Sequence, residues 1–181
     1  PVVVNSIVAA YSFTGNYLDE SSFDNHGTGR GAEFVTDLFG FGDKAVRFNG
    51  TDGGVTASNS SHLNSATTTV SFWVNPTALP ATGEAYIASF GGWQERWKIS
   101  LPSHGKMVWT THATSCCSDL DAGGGNELVP GTWTHAVFVH DGTMDRIFIN
   151  GELAAEKASA GDLNSTVHPL GIGYDPIDVA N

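Results

Sequence analysis

Apolar and polar residues alternate with a period of two along most of this chain. The clearest runs are Ile7–Phe13, Ala45–Phe48, Thr68–Val74, Tyr86–Phe90, Trp97–Leu101, Met107–His112, Trp133–Val139, Arg146–Asn150 and Leu170–Gly173. Such alternation sends successive side chains to opposite faces of a half-buried strand. In Thr69-Val-Ser-Phe-Trp-Val74, Val70, Phe72 and Val74 share one face and Ser71 and Trp73 the other, and one of the two faces must be core. Turn formers punctuate the runs, among them Thr14-Gly-Asn16, Asn49-Gly-Thr-Asp52, His140-Asp-Gly142 and Asn150-Gly151. Their recurrence every ~8–12 residues is the spacing of a sandwich or barrel. Asn150-Gly151 is the strongest hairpin signal, because both residues tolerate the positive φ of a tight turn. No long segment keeps a helical period with caps at both ends. The pattern predicts an all-β, antiparallel two-sheet sandwich forming a single domain over residues 1–181, with almost no helix.

Charge changes the picture of partners. With 19 Asp and Glu against 8 Lys and Arg, the chain repels a nucleic-acid backbone or an anionic membrane, and cations and neutral sugars suit it better. Many carboxylates stand beside Gly, Asn and Ser, where a hard cation such as calcium finds oxygen ligands; simple solubility accounts for them equally well. No apolar run approaches the ~20 residues of a membrane span, and no signal peptide opens the chain. The start at Pro1 and stop at Asn181 read as a module cut from a longer secreted or cell-surface protein.

The two cysteines, Cys116 and Cys117, are adjacent in Thr114-Ser-Cys-Cys-Ser-Asp119. Neighbouring Cα atoms lie ~3.8 Å apart, below the usual disulfide range. The choices are a strained vicinal disulfide, two thiols, or links to another chain. In an oxidising compartment the vicinal ring is the expected form.

Several segments, in this order, resemble the laminin-G-like, concanavalin A-like lectin/glucanase superfamily, in its bacterial modular branch. They are Val8-Ala-Ala-Tyr-Ser-Phe13 with the loop Leu18-Asp-Glu-Ser-Ser-Phe-Asp-Asn-His-Gly27, then Lys44-Ala-Val-Arg-Phe-Asn-Gly-Thr-Asp52 and Thr69-Val-Ser-Phe-Trp-Val-Asn-Pro76. Gly131-Thr-Trp-Thr-His-Ala-Val-Phe-Val139, Ile147-Phe-Ile-Asn-Gly-Glu-Leu153 and Leu170-Gly-Ile-Gly173 complete the set. The resemblance implies a jelly roll, with Trp133 and His135 as architecture. It also implies a calcium ion near Asp19 and the turn Asn49-Gly-Thr-Asp52, helped by Asn25 and the Gly50 carbonyl; the alternative makes Asp19 and Asp52 turn formers. The family's last strand has no counterpart before Asn181, which leaves the Ile7–Phe13 strand an unpaired side where another protein or domain could pair.

Two segments carry candidate ligand chemistry. Gly91-Gly-Trp-Gln-Glu-Arg-Trp97 combines aromatic faces with hydrogen-bonding groups, the mixture that covers a pyranose face and forks onto its hydroxyls, so Trp93, Glu95, Arg96 and Trp97 are candidates. The alternative is that Trp97 starts a core strand and Trp93 shields a loop. The second segment is read as a loop, His112–Asp121, bringing His112, Cys116, Cys117 and Asp119 together. Zinc would want more Cys or His at suitable spacing, and nothing resembles a redox Cys-x-x-Cys. A retaining glycosidase would need two carboxylates about 5–5.5 Å apart, and no Glu-x-Asp-x-x-Glu run occurs. The sequence therefore points to a non-catalytic module that binds a glycan or polysaccharide, with a protein-binding adhesion module and a polysaccharide-degrading enzyme as the alternatives.

Overall fold

The computed structural model describes residues 7–113 and 116–177, and of Cys116 only the backbone. In chain order its elements are β1 (Gly27–Arg30), β2 (Ala32–Val35), β3 (Ala45–Phe48), β4 (Gly54–Ala57), β5 (Thr68–Val74), β6 (Glu84–Phe90), the single turn α1 (Gly92–Glu95), β7 (Trp97–Pro102), β8 (Val108–Ala113), β9 (Cys116–Asp121), β10 (Thr134–His140), β11 (Met144–Ile149), β12 (Glu152–Ala158) and β13 (Leu170–Ile172). A seven-stranded sheet runs β1-β4-β13-β6-β7-β8-β9, a four-stranded sheet runs β12-β11-β10-β5, and β2 and β3 form a separate ribbon. Every ladder is antiparallel. The expected all-β jelly-roll sandwich, nearly without helix, is what the chain forms.

The core lies between the two large sheets and is built from the inward members of the alternating runs. Trp97, Ile99 and Leu101 of β7 and Trp109 of β8 meet Ala136 and Phe138 of β10 and Ile147 of β11. Trp109 sits 5.6 Å from Trp97 and 5.7 Å from Phe138, ring centre to ring centre, so one fully buried side chain joins both sheets. Contacts of this kind contribute about 0.5–1.5 kcal/mol each beyond the burial of apolar area. At the far end of β11, Asn150 and Gly151 take φ of 51° and 89°, the two left-handed positions of the hairpin turn expected from the sequence.

Three expectations are corrected. Ile7–Phe13 is not a strand, because its backbone groups are taken by the following loop. Ala10 donates its N–H to Asp19 Oδ1 at 2.8 Å, and the Val8 carbonyl accepts from Asn25 Nδ2 at 2.7 Å. Phe13, at φ 52°, then breaks the extended run. The free side expected there lies instead at β5, whose outer edge has no strand partner among the described residues. Finally, His112–Asp121 is not a loop. His112 lies within β8, one residue before its end, and Cys116–Asp121 pairs with that strand as β9, the edge of the large sheet. Its alternation is real, with Cys117, Asp119 and Asp121 exposed and Ser118 and Leu120 buried, but the outward members are too polar to announce a strand.

Candidate functional site

The β6–β7 hairpin is closed by the pair Phe90↔Trp97, both in the core, and the residues between form a raised turn. Gly91 and Gly92 stand at φ 73° and 58°, a succession that only glycine adopts without strain. A Cβ on Gly91 would lie 2.7 Å from the Thr166 side chain, so the turn is also pressed against the segment before β13. This backbone lifts Trp93 into solvent, 47% exposed, and turns the next residues back towards the sheet.

The structure divides the candidate ligand residues into two groups. Trp93 and His112 come together, His112 Nδ1 lying 3.3 Å from the Trp93 carbonyl oxygen, while Glu95, on the same turn, accepts from Thr166 Oγ1 and sits 3.5 Å from His168 Nε2. Cys117 stands opposite His112 in the β8–β9 ladder, and Asp119 opposite Thr110. Asp119 is therefore on the same sheet face, about 7 Å along the strand from Cys117. Its carboxylate accepts from Thr110 Oγ1 at 2.6 Å, which fixes its direction while leaving it exposed. The rim so formed runs from Trp93 across His112 to Asp119. Thr166 and His168 were missed in the sequence, because they reach Glu95 only through tertiary folding.

Arg96 and Trp97 belong to the other group and are corrected. Arg96 is fully buried, donating to the carbonyls of Leu63, Ser65 and Asn164, with its guanidinium 5.4 Å from the centre of the Phe90 ring. Burial pulls its pKa down to about 10, so it remains charged at neutral pH and clamps two loops instead of meeting a ligand. Trp97, 4% exposed, takes the inward position of β7 that the period-two pattern assigns it. The Cys116 side chain lies outside the described residues, and so does a bond between it and Cys117.

The residues expected to hold calcium do not fit an ion. Asp19 is buried, and its Oδ1 accepts the N–H groups of Ala10 and Ser21 while Oδ2 accepts Ser21 Oγ and the Asn25 N–H, at 2.7–2.9 Å. Burial pushes its carboxyl pKa up, but these donors together hold it below the ordinary value. Each oxygen already faces two donors, where a cation needs six to eight free oxygens. Asn49 Oδ1 likewise caps the N–H groups of Thr51, Asp52 and Gly53, and Asn49 Nδ2 donates to Asp52 Oδ1 at 2.6 Å, while Gly50 supplies the turn at φ 75°. Asn25 donates its backbone N–H to Asp19 Oδ2 and its Nδ2 to the Val8 carbonyl. These are turn formers.

A two-sheet jelly roll with an exposed aromatic on the turn that ends a central hairpin of its larger sheet is the architecture of a lectin-like sandwich domain. The chain belongs to the concanavalin A-like lectin/glucanases superfamily, whose family pattern matches residues 49–181. Among solved structures it is similar to the binding domain of botulinum neurotoxin serotype G (TM-score 0.72, 17% identity, covering 93% of this chain and 43% of that one). It is similar also to domain 4 of AbnA, a GH43 extracellular arabinanase from Geobacillus stearothermophilus, in complex with arabinotriose (TM-score 0.72, 21% identity, 94% and 84%). A third is botulinum neurotoxin type C, whose cell entry is described as dependent on interaction with two ganglioside molecules (TM-score 0.65, 13% identity, 97% and 44%). The chain spans less than half the length of the neurotoxin binding domains it matches. No curated protein sequence matches it.

Proposed function

We propose that this domain is a non-catalytic carbohydrate-binding module of a secreted or cell-surface protein, which takes a neutral glycan along the rim from Trp93 to Asp119. The observation that carries the reading is the exposed Trp93 indole held on the Gly91-Gly92 turn beside hydrogen-bonding His112 and Glu95. An indole face covers the C–H face of a sugar ring, and the imidazole and carboxylates meet its hydroxyls. With Glu95 and Asp119 at the rim, an anionic sugar meets like charge, so neutral sugars are favoured. The similarity to domains whose descriptions name arabinotriose and gangliosides supports the class of ligand. A glycan array read with the whole chain tests this. Binding of neutral oligosaccharides that is lost in Trp93→Ala supports it, and an array blank for every glycan at high protein concentration refutes it.

A protein-binding role is favoured by one separate feature. The outer edge of β5 is unpaired among the described residues and lies along a groove lined by Tyr11, Phe34, Val46, Phe72 and Tyr86. An edge of this kind accepts an added strand through main-chain hydrogen bonds. Exchange protection of β5 amides on adding a partner, with none at Trp93, would identify that mode.

A further inference from the structure

The Glu95 carboxylate is held more firmly than a surface side chain needs. Its Oε2 accepts from Thr166 Oγ1, and every polar atom of Thr166 is itself committed. The Thr166 N–H donates to Asn64 Oδ1 at 2.9 Å, its carbonyl accepts from Asn59 Nδ2 at 2.8 Å, and its Oγ1 accepts the His168 N–H at 3.1 Å. Thr166 is buried and pressed against Gly91, so its hydroxyl is fixed. Glu95 therefore keeps one direction, and its Oε1, 3.5 Å from His168 Nε2 on a partly exposed side chain, has room for another donor. The facing wall is Asn164-Ser165-Thr166-Val167. Leu163 bridges Ala113 at the end of β8, and Asn164 donates its N–H at 3.0 Å to the carbonyl of His112, whose imidazole meets the Trp93 carbonyl. The Asn164 carbonyl accepts from Arg96, while its side-chain amide has no hydrogen bond among the described residues. Between the α1 turn and this wall lies a cleft of about 480 Å³, lined by Gln94, Glu95, Asn164, Ser165, Thr166 and Val167. Val167 is 85% exposed, an apolar side chain that the core does not use.

We infer that this cleft is the subsite that selects the sugar: it takes one ring of a neutral glycan presenting two adjacent free hydroxyls, one donating to Glu95 Oε1 and the other paired with the Asn164 amide. The inference rests on the domain binding glycans at Trp93, and adds what decides among them. An ionised carboxylate only accepts, which suits a hydroxyl as donor; a primary amide both donates and accepts, which suits a hydroxyl in either role. Hydrogen bonds to a charged group are the stronger kind. A ring whose hydroxyl is inverted, substituted or missing leaves the fixed Glu95 oxygen without its donor, so hydroxyl arrangement is read here. The Trp93 face meets C–H groups and tolerates many rings. Val167 gives the ring an apolar edge to rest on. Thr166 is a positioning residue, acting through Glu95.

Titration calorimetry with the trisaccharides of β-1,4-glucan, β-1,4-xylan, β-1,4-galactan and α-1,5-arabinan, which differ in the arrangement of their hydroxyls, tests the assignment. Wild type, Trp93→Ala, Glu95→Gln, Asn164→Ala and Thr166→Val are compared, with a melting curve of each. Wild type is expected to prefer some of the four over the others. Glu95→Gln keeps an oxygen for Thr166 but loses the charge, so it should bind the preferred trisaccharide about tenfold or more weakly and bring the four affinities closer together. Asn164→Ala should weaken it about threefold to tenfold with an unchanged melting temperature, since that amide holds nothing in the protein. Thr166→Val should also lower the preference, because the released carboxylate no longer keeps one direction. Trp93→Ala should weaken all four by a similar factor. Equal affinity of wild type for all four overturns the cleft assignment. So do wild-type affinities and order in Glu95→Gln and Asn164→Ala when Trp93→Ala loses binding, and in that case the carbohydrate reading stands. If Glu95→Gln does not fold, Asn164→Ala decides. A wild type that binds none of the four, and no glycan on the array, overturns both.

Discussion

Asp145 Oδ1 lies 2.8 Å from His140 Nδ1, with both side chains fully buried. The other Asp145 oxygen accepts Thr111 Oγ1 at 2.7 Å, and His140 Nε2 lies 2.8 Å from the Gly161 carbonyl. Asp145 and His140 belong to the four-stranded sheet and Thr111 to the seven-stranded one, so this polar network ties the sheets together through an otherwise apolar interior.

Removing one member strands buried hydrogen-bonding partners, at a cost of about 1–3 kcal/mol for each group left unsatisfied. Asp145→Ala is therefore expected to lower the unfolding free energy by that amount for each of its partners, His140 and Thr111, in urea denaturation with an unchanged slope. A loss below about 1 kcal/mol would show that the network contributes little.

Arg96→Leu is expected to destabilise while leaving the rim chemically intact. It strands the carbonyls of Leu63, Ser65 and Asn164, each worth about 1–3 kcal/mol when left unsatisfied. Thermal melting should fall well below that of Trp93→Ala. Were the two melting temperatures lowered equally, the clamp role would be wrong.

Trp93→Ala removes an exposed side chain, so the melting temperature should stay close to wild type. Loss of a stacked aromatic face costs about 1.5–3 kcal/mol, or roughly tenfold to a hundredfold in glycan affinity by titration calorimetry. Unchanged affinity for a glycan that wild type binds would move the site elsewhere.

Asp19 gives the fold an acid-sensitive window. Its carboxyl pKa is held below the ordinary value, so it binds a proton more weakly folded than unfolded. The stability it contributes is complete above the unfolded value of about 4 and is lost as pH falls through the lower folded value. Denaturation curves taken between neutral and acid pH should show a steeper fall for wild type than for Asp19→Asn. Parallel curves would assign the acid loss to other carboxylates.

The sandwich was legible wherever apolar residues carried the alternation. Val70, Phe72 and Val74 share one face of β5, as the alternation required, and that face packs on the core, while Asn150-Gly151 turns as its two residues require. β9 was not legible, because its outward positions are Cys117, Asp119 and Asp121 and its inward ones include Ser118; polar strands look like loops. Nor was Arg96. A guanidinium in a Gly-Gly turn reads as a surface ligand, and only the folded chain brings three carbonyls and the Phe90 ring around it.

The Phe90↔Trp97 pair closes the β6–β7 hairpin inside the core and leaves Trp93, Gln94 and Glu95 outside it. The domain thus separates a buried frame from an exposed cassette: substitutions at Trp93 and Glu95 change what is touched without entering the apolar core. A library randomised at those two positions should therefore stay folded throughout, as read by melting curves of the pooled variants.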